Sequence, residues 1–324
     1  MGASSSNNLK NNEQKMTAYS RQALHAGSWY ESNREALDDT LSTFLNKTMI
    51  SSSSSEPPEP PLRAIICPHA GYSYSGPTAA FSYAHLQQEI ARNNAVTSIL
   101  VLHPSHHVYL DGCAISGASQ LETPVGNLQV DTSLRNEVLA LGNYSIMQQR
   151  VDEREHSSEM QYPFIAKALG PKISTVRVLP IMVGNLSAKS EKAYGELLAP
   201  IVARSNVICV ISSDFMHWGS RFQYQPTPTT MSMEIYQHIQ ELDHQGMNLI
   251  ELQEPGAFAT YLKKTQNTIC GRHPIGLWLN SVHTNKNSAE NLEIKFVKYD
   301  QSSKVKKLRD SSVSYASATA RKVS

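Results

Sequence analysis

The sequence predicts an α/β fold, a single domain built on a central mixed β-sheet with helices on both faces. Short β-branched runs alternate with helical patterns from Arg63 onward, the order that layers helices over a sheet. The apolar runs lack strict alternation of apolar and polar positions, as strands covered on both faces do. No internal repeat or linker splits the 324 residues, 40% of them hydrophobic, a length that allows one large domain.

Residues 1–17 are polar, Asn- and Ser-rich and aperiodic. They read as a disordered extension before a folded domain over 18–324. Gly2 followed by Ser6 fits the short M-G-x-x-x-[ST] pattern for N-myristoylation. Lys10 and Lys15 supply no polybasic second anchor, so a free tail is preferred over a lipid anchor. The first helix begins after Asn33, a residue type suited to an N-cap, and sets Leu37, Leu41, Phe44 and Leu45 on one face. ISSSSSEPPEPP, Ile50 to Pro61, cannot build a core and reads as a flexible surface loop open to phosphorylation. The strand RAIIC is followed by the helix PTAAFSYAHLQQEIA, then by the strands SILVLH and TVRVLPIMV and a helix over Lys189 to Val202. NVICVISS leads to a helix over Met231 to Met247 and another over Pro274 to Val282. The last strands, LEIKFVKY and VSYASATA, complete or edge the same sheet.

Charge and cysteine content narrow the function. Lysine and arginine number 29 against 28 aspartates and glutamates, a net charge of +1. No basic run could neutralise several phosphates, so nucleic acid is not an expected partner. Cys67, Cys113, Cys209 and Cys270 lie far apart without a C-x-x-C pair, which suits a reducing compartment. No apolar signal-peptide core opens the chain, and no window approaches the roughly 18 apolar residues of a membrane span. A protein of the cytoplasm, with the nucleus as a second compartment, is expected.

Three polar clusters come directly after three apolar runs: PHAGYSYSG after RAIIC, PSHHVYLDG after SILVLH, and DFMHWGSRF after NVICVISS. Ligands of open α/β sheets bind beyond the carboxyl ends of strands, where neighbouring loops converge. His69, His106, Asp214 and His217 are therefore expected at one rim. His107 is a weaker candidate, because adjacent residues point different ways. Gly71 and Gly76 bracket Tyr72 and Tyr74 in what reads as a loop able to approach a ligand. In EHSSEMQYPF, His156 and Glu159 are second-tier candidates near a helix start. Each of the 12 histidines taken singly is more often an ordinary hydrogen-bonded residue; their shared topological position singles these out.

Two imidazoles on separate strand ends plus one anionic ligand make a three-point site for a divalent first-row metal. The anionic ligand is Asp214, Glu159 or Cys270, and a thiolate would favour copper(I), iron(II) or zinc. Arg272 beside Cys270 adds positive charge for an anionic ligand, or serves as a structural partner for a helix end or carboxylate. H-E-x-x-H, G-x-S-x-G, the P-loop and G-x-G-x-x-G are absent, which removes the simplest zinc-protease, serine-hydrolase and nucleotide readings. A Cys270, His217, Asp214 triad is geometrically awkward, since Asp214 and His217 share one tight loop.

HAGSWY, PHAGYSYSG, PSHHV, EHSSEMQYPF, SSDFMHWG, NTICGRHPIG and DSSVSYA, in this order from about Tyr19 to Ser317, resemble the Memo family. That resemblance implies a fold similar to class III extradiol dioxygenases, the non-haem iron enzymes that cleave catechol rings. It implies metal ligands at His69 and His106, an acid/base role for His217 with Asp214 beside it, and Cys270 where those enzymes carry a glutamate ligand. A thiolate next to a redox metal and dioxygen is itself readily oxidised. The resemblance thus implies a copper- or iron-binding effector, one ion per chain, in signalling linked to cell motility or, in fungi, invasive growth. A phosphotyrosine peptide or a signalling protein is the partner implied for its cleft. An active metal-dependent dioxygenase or oxidoreductase acting on a small aromatic substrate is the alternative.

Overall fold

A computed structural model describes residues 19–48, 59–228, 232–286 and 291–323. The expected extension over 1–17 and most of the Ile50 to Pro61 loop lie outside the described residues.

The chain opens with β1 (Ser20–Arg21) and α1 (Arg34–Asn46), the latter capped by the Asn33 side chain accepting from the Ala36 N–H. Leu37, Leu41 and Leu45 are its buried stripe, as the spacing predicts. The strand β2 (Leu62–Cys67) leads into α2 (Tyr72–Arg92). This helix corrects one expectation: Tyr72 to Gly76 form its first turn and a half rather than a loop, and Pro77 sits within it. Pro77 is the sixth residue of the helix, beyond its first turn, and so deprives the Ser73 carbonyl of its i+4 N–H donor. Gly76 is needed for packing, because a Cβ there would stand 2.5 Å from the Phe44 ring on α1.

β3 (Ser98–Pro104) is followed by short elements: β4 (Cys113–Ile115), β5 (Gln120–Leu121), β6 (Leu128–Gln129), α3 (Thr132–Ala140), β7 (Tyr144–Ile146), α4 (Gln149–Arg154), α5 (His156–Glu159) and α6 (Tyr162–Leu169). Then come β8 (Arg177–Val183), α7 (Ala188–Val202), β9 (Val207–Ser212) and β10 (His217–Trp218). α8 (Ile235–Glu251), α9 (Pro255–Thr265), α10 (Arg272–Asn285), β11 (Leu292–Gln301) and β12 (Ser312–Lys322) complete the described chain.

The main sheet is mixed, in the order β10-β12-β2-β9-β3-β8-β4-β7, with β11 also paired to β12. The core strands β2, β9, β3 and β8 run parallel, whereas β12 joins β2 antiparallel. Every residue of β2, β3 and β9 is buried, which is why these runs showed no alternation. One continuous apolar core joins residues from α1, α2, α6, α7 and α10 to the sheet. The parallel arrangement brings the carboxyl ends of β2, β9 and β3 side by side, and the three polar clusters of the sequence emerge there.

Candidate functional site

His69 lies just past β2 and is buried. Its hydrogen bonds fix its tautomer. Ser212 Oγ, at the end of β9, donates its single proton to the Ser157 carbonyl (2.7 Å) and accepts from Gln161 Nε2 (2.9 Å). The contact between Ser212 Oγ and His69 Nδ1 (2.7 Å) therefore needs the proton on Nδ1. The lone pair is left on Nε2, which faces Cys270 Sγ at 3.1 Å.

His106, past the end of β3, is held by Glu155 twice: its backbone N–H donates to Oε2 (2.7 Å) and its Nδ1 to Oε1 (2.8 Å). Glu155 Oε1 also accepts from Ser157 Oγ (2.7 Å) and N (3.0 Å). Burial favours the protonated acid, but the His106 hydrogen bond works against it and Glu155 is held well below the usual carboxylate range. The carboxylate thus fixes His106 with Nε2 free, the arrangement found behind metal-bound histidines.

His156 starts α5 and stacks on His106 at 4.5 Å between centroids, with 25° between the planes. Trp29 packs against it as well, at 4.5 Å between centroids and 37° between the planes. The His69 and His106 rings meet nearly edge to face at 5.2 Å. One donor atom each from His69, His106 and His156 lie within 4.8 Å of one another, the one such metal-competent group among the described residues. Burial, reinforced by neighbouring imidazoles, pushes His69 well down and His156 to about 3. Both rings are neutral at physiological pH, the form that accepts a metal.

Cys270 precedes α10 and is partly exposed, whereas the other three cysteines are buried. Its Sγ accepts from the Asp214 N–H at 3.2 Å. Burial, then the Asp214 charge, raises this thiol well above its ordinary value. Without a cation beside it, Cys270 stays protonated, so it is not an activated nucleophile. Gly271 makes the close approach possible, because a Cβ there would come within 2.5 Å of the Ser212 carbonyl oxygen and the Ser213 hydroxyl.

Asp214 accepts the His69 N–H at 2.7 Å, and burial raises its carboxyl to about 7. Its observed contacts tie down the turn carrying His69. Nδ1 of His217 donates to the carbonyls of Phe215 (2.9 Å) and Thr268 (3.1 Å), leaving Nε2 as an acceptor. Burial lowers its affinity for a proton, against the pull of those carbonyls.

The structure therefore gathers His69, His106, His156 and Cys270, with His217 held through Thr268, two residues before Cys270. Glu159 stands apart. Its Oε1 accepts from the His25 N–H (2.7 Å) and Tyr30 OH (2.8 Å), and Oε2 contacts Arg21 Nη1 (2.8 Å) and His25 Nδ1 (2.9 Å). Both oxygens are already engaged, and the role observed is structural. Buried Arg21 also contacts Asp152 and donates to the Glu155 carbonyl (2.9 Å); this contact clamps the segment carrying Glu155 and His156. His107 is exposed and touches His156 edge to face at 5.7 Å. Arg272 lines a cleft of about 420 Å³ together with His106 and Cys270. Sequence reasoning missed Glu155, Ser212 and Trp29, although they lie inside the blocks EHSSEMQYPF, SSDFMHWG and HAGSWY.

Fold and site together define an α/β protein with a histidine- and cysteine-lined cleft at the carboxyl ends of its parallel strands. The model of the Memo-like protein family matches residues 21–319, and the chain belongs to that family. It is 43% identical over 300 residues to the Protein memo-1 homolog of Caenorhabditis elegans, covering 92% of this chain and 82% of that one. Protein MEMO1 of Homo sapiens is 40% identical over 296 residues, covering 91% and 95%. A crystal structure of an uncharacterized Escherichia coli K12 protein aligns with a TM-score of 0.48 at 11% identity, covering 78% of this chain and 98% of that one, too distant for a functional inference. Among the described residues, no helix is long and apolar enough to cross a membrane.

Proposed function

We propose that this Memo-family chain binds one copper or iron ion through His69, His106 and Cys270, and acts as an effector in signalling linked to cell motility or invasive growth, in the cytoplasm and nucleus. The observation that carries the metal reading is the bare Nε2 of His69 lying 3.1 Å from Cys270 Sγ. Ligands of a tetrahedral ion at about 2.0 and 2.3 Å stand roughly 3.5 Å apart, so only a small opening of this pair would admit one. Both imidazoles have their Nδ1 protons committed, to Ser212 and to Glu155, which suits the donor set. The family resemblance supplies the signalling role and the phosphotyrosine peptide or signalling protein as partner.

His156 is the competing third ligand, favoured by its place in the trio of donor atoms. Its stacking on His106 argues against it, because the in-plane lone pairs of nearly parallel rings do not converge on one point. Cobalt(II) loading separates the two. A thiolate-to-metal absorption band that disappears in Cys270→Ser and persists in His156→Ala supports Cys270. A band-free cobalt complex lost in His156→Ala would overturn that assignment.

An oxidoreductase acting on a small aromatic substrate is the second reading, supported by the free Nε2 of His217. Bound copper or iron would supply redox and Lewis-acid chemistry. His217 would accept or return a proton at Nε2, while Asp214 steadies the His69 turn. Oxygen uptake with catechols that His217→Ala abolishes would favour this reading; no uptake with metal-loaded protein would leave the effector role.

A further inference from the structure

The turn between β11 and β12 carries the run KVKKLR, Lys304 to Arg309. Val305 is its one buried residue and shares a small apolar cluster with Met216, Trp218 and Ile239, while the other five residues are exposed. The backbone is pinned on both sides of this anchor. The Val305 carbonyl accepts from the Tyr236 N–H (3.0 Å), and the Leu308 carbonyl from Gln225 Nε2 (2.7 Å). Asp310, the next acid along the chain, turns its Oδ2 onto the backbone N–H groups of Lys306 (3.1 Å) and Lys307 (2.9 Å), and so shapes the turn. Lys304 lies over the Tyr236 ring at 5.4 Å. The side chains of Lys306, Lys307 and Arg309 make no hydrogen bond or ion pair among the described residues. Arg221 lines a groove with Ser302, Ser303 and Ser311 at the root of the turn and adds a fifth exposed cation to this face.

Such a cluster is local, because the chain as a whole carries a net charge of only +1. Holding like charges together in a fixed turn raises the energy of the free protein, and an anionic surface relieves it. Among the cations Leu308 is 60% exposed. Its carbonyl is held by Gln225, so this exposure belongs to the fold and not to a frayed end. We propose that the turn Lys304 to Arg309 docks the protein on an anionic phospholipid membrane. Leu308 enters the headgroup boundary, while the lysine and arginine stems lie along its apolar edge and set their charges at lipid phosphates. Clusters of about four to eight basic residues suit the anionic cytoplasmic leaflet. Nucleic acid would offer Leu308 no apolar partner, and a six-residue turn is a small part of the roughly 800 Å² that a protein partner covers.

The full chain, made with Gly2 unacylated so that no lipid anchor contributes, is sedimented with vesicles of phosphatidylcholine alone or with about 30% phosphatidylserine. Partition onto the phosphatidylserine vesicles is expected at about 0.1 M salt and its loss at about 0.5 M, where screening is shorter-ranged. Phosphatidylcholine alone should not bind. Each basic residue near the surface is worth roughly fivefold in partitioning, so joint Lys306→Ala and Lys307→Ala replacement should weaken binding about tenfold or more. Lys263 and Lys264 are an exposed pair on α9, away from this turn, and replacing both by Ala should leave binding at the wild-type level. Leu308→Ser should weaken binding severalfold, and Leu308→Trp should show a blue shift of emission on phosphatidylserine vesicles that the wild type lacks. Because the replaced side chains are exposed, melting temperatures should match the wild type. No partition of the wild type, equal loss in the Lys263 and Lys264 variant, or full binding in either the Lys306 and Lys307 variant or Leu308→Ser would overturn the proposal. Duplex DNA or polyglutamate bound through Lys306 and Lys307, without vesicle binding, would assign the turn to another partner and overturn it as well.

Discussion

Replacing Glu155 by Gln tests whether His106 is built to be a ligand. The carboxylate is acceptor at both oxygens: Oε1 takes His106 Nδ1, Ser157 Oγ and Ser157 N, and Oε2 takes the His106 N–H. A glutamine must present an NH₂ group at one of these ends. At the Oε2 end it faces the His106 N–H, leaving that donor unsatisfied at a cost of about 1–3 kcal/mol. At the Oε1 end it faces His106 Nδ1, and the ring relieves the clash by moving its proton to Nε2, which removes the lone pair a metal needs. Loss of such a supporting carboxylate typically weakens metal affinity by about 10- to 100-fold, or roughly 1.4–2.7 kcal/mol. Competition with a chelator of known affinity, beside a urea unfolding curve, separates the effect on binding from that on folding. Affinity within about twofold of wild type in a folded Glu155→Gln protein would refute the reasoning.

Gly271→Ala should cost about 1–3 kcal/mol through overpacking against Ser212 and Ser213 and should open the Cys270 to His69 contact. A faster reaction of the one partly exposed thiol with a disulfide reagent would report it, and an unchanged rate and melting temperature would contradict it. Acid should remove the stability that His103 contributes. Burial holds His103 neutral, down from 6.5 to about 4, so the unfolded chain binds the extra proton between about pH 6.5 and 4 and stability falls as pH drops through that window. For this one residue the loss amounts to about 3 kcal/mol. Asp214, raised to about 7, works the other way between about pH 4 and 7, where the folded state holds its proton. His103→Gln should therefore flatten the acid limb of a plot of urea midpoint against pH, and an identical limb would count against the assignment.

The sheet and half the site were legible because the physics that places them is written in the chain. Runs such as SILVLH and NVICVISS are too apolar to lie anywhere but between two layers, and the polar residues next in the chain must emerge at their carboxyl ends. This is how His69, His106, Asp214 and His217 could be brought together from sequence. Glu155 was not legible, because its role depends on a return of the chain beneath His106 that leaves no periodic trace. The segment from β4 to α6 is built of pieces mostly two to nine residues long, too short to carry a period. Pro77 misplaced the start of α2, because proline is favoured at the first helical position and so reads as an opening, whereas here it falls in the second turn. Glu159 looked free because its partners, Arg21, His25 and Tyr30, lie about 130 residues away in a segment without pattern.

The most direct measurement is the metal content of protein purified without oxygen and offered copper(I) or iron(II), for the wild type and for His69→Ala, His106→Ala and Cys270→Ala. About one ion per chain in the wild type, lost in both histidine variants and sharply reduced in the cysteine variant while all remain folded, is the predicted result. A wild-type chain that holds neither metal, or ligand variants that hold as much as the wild type, would contradict it.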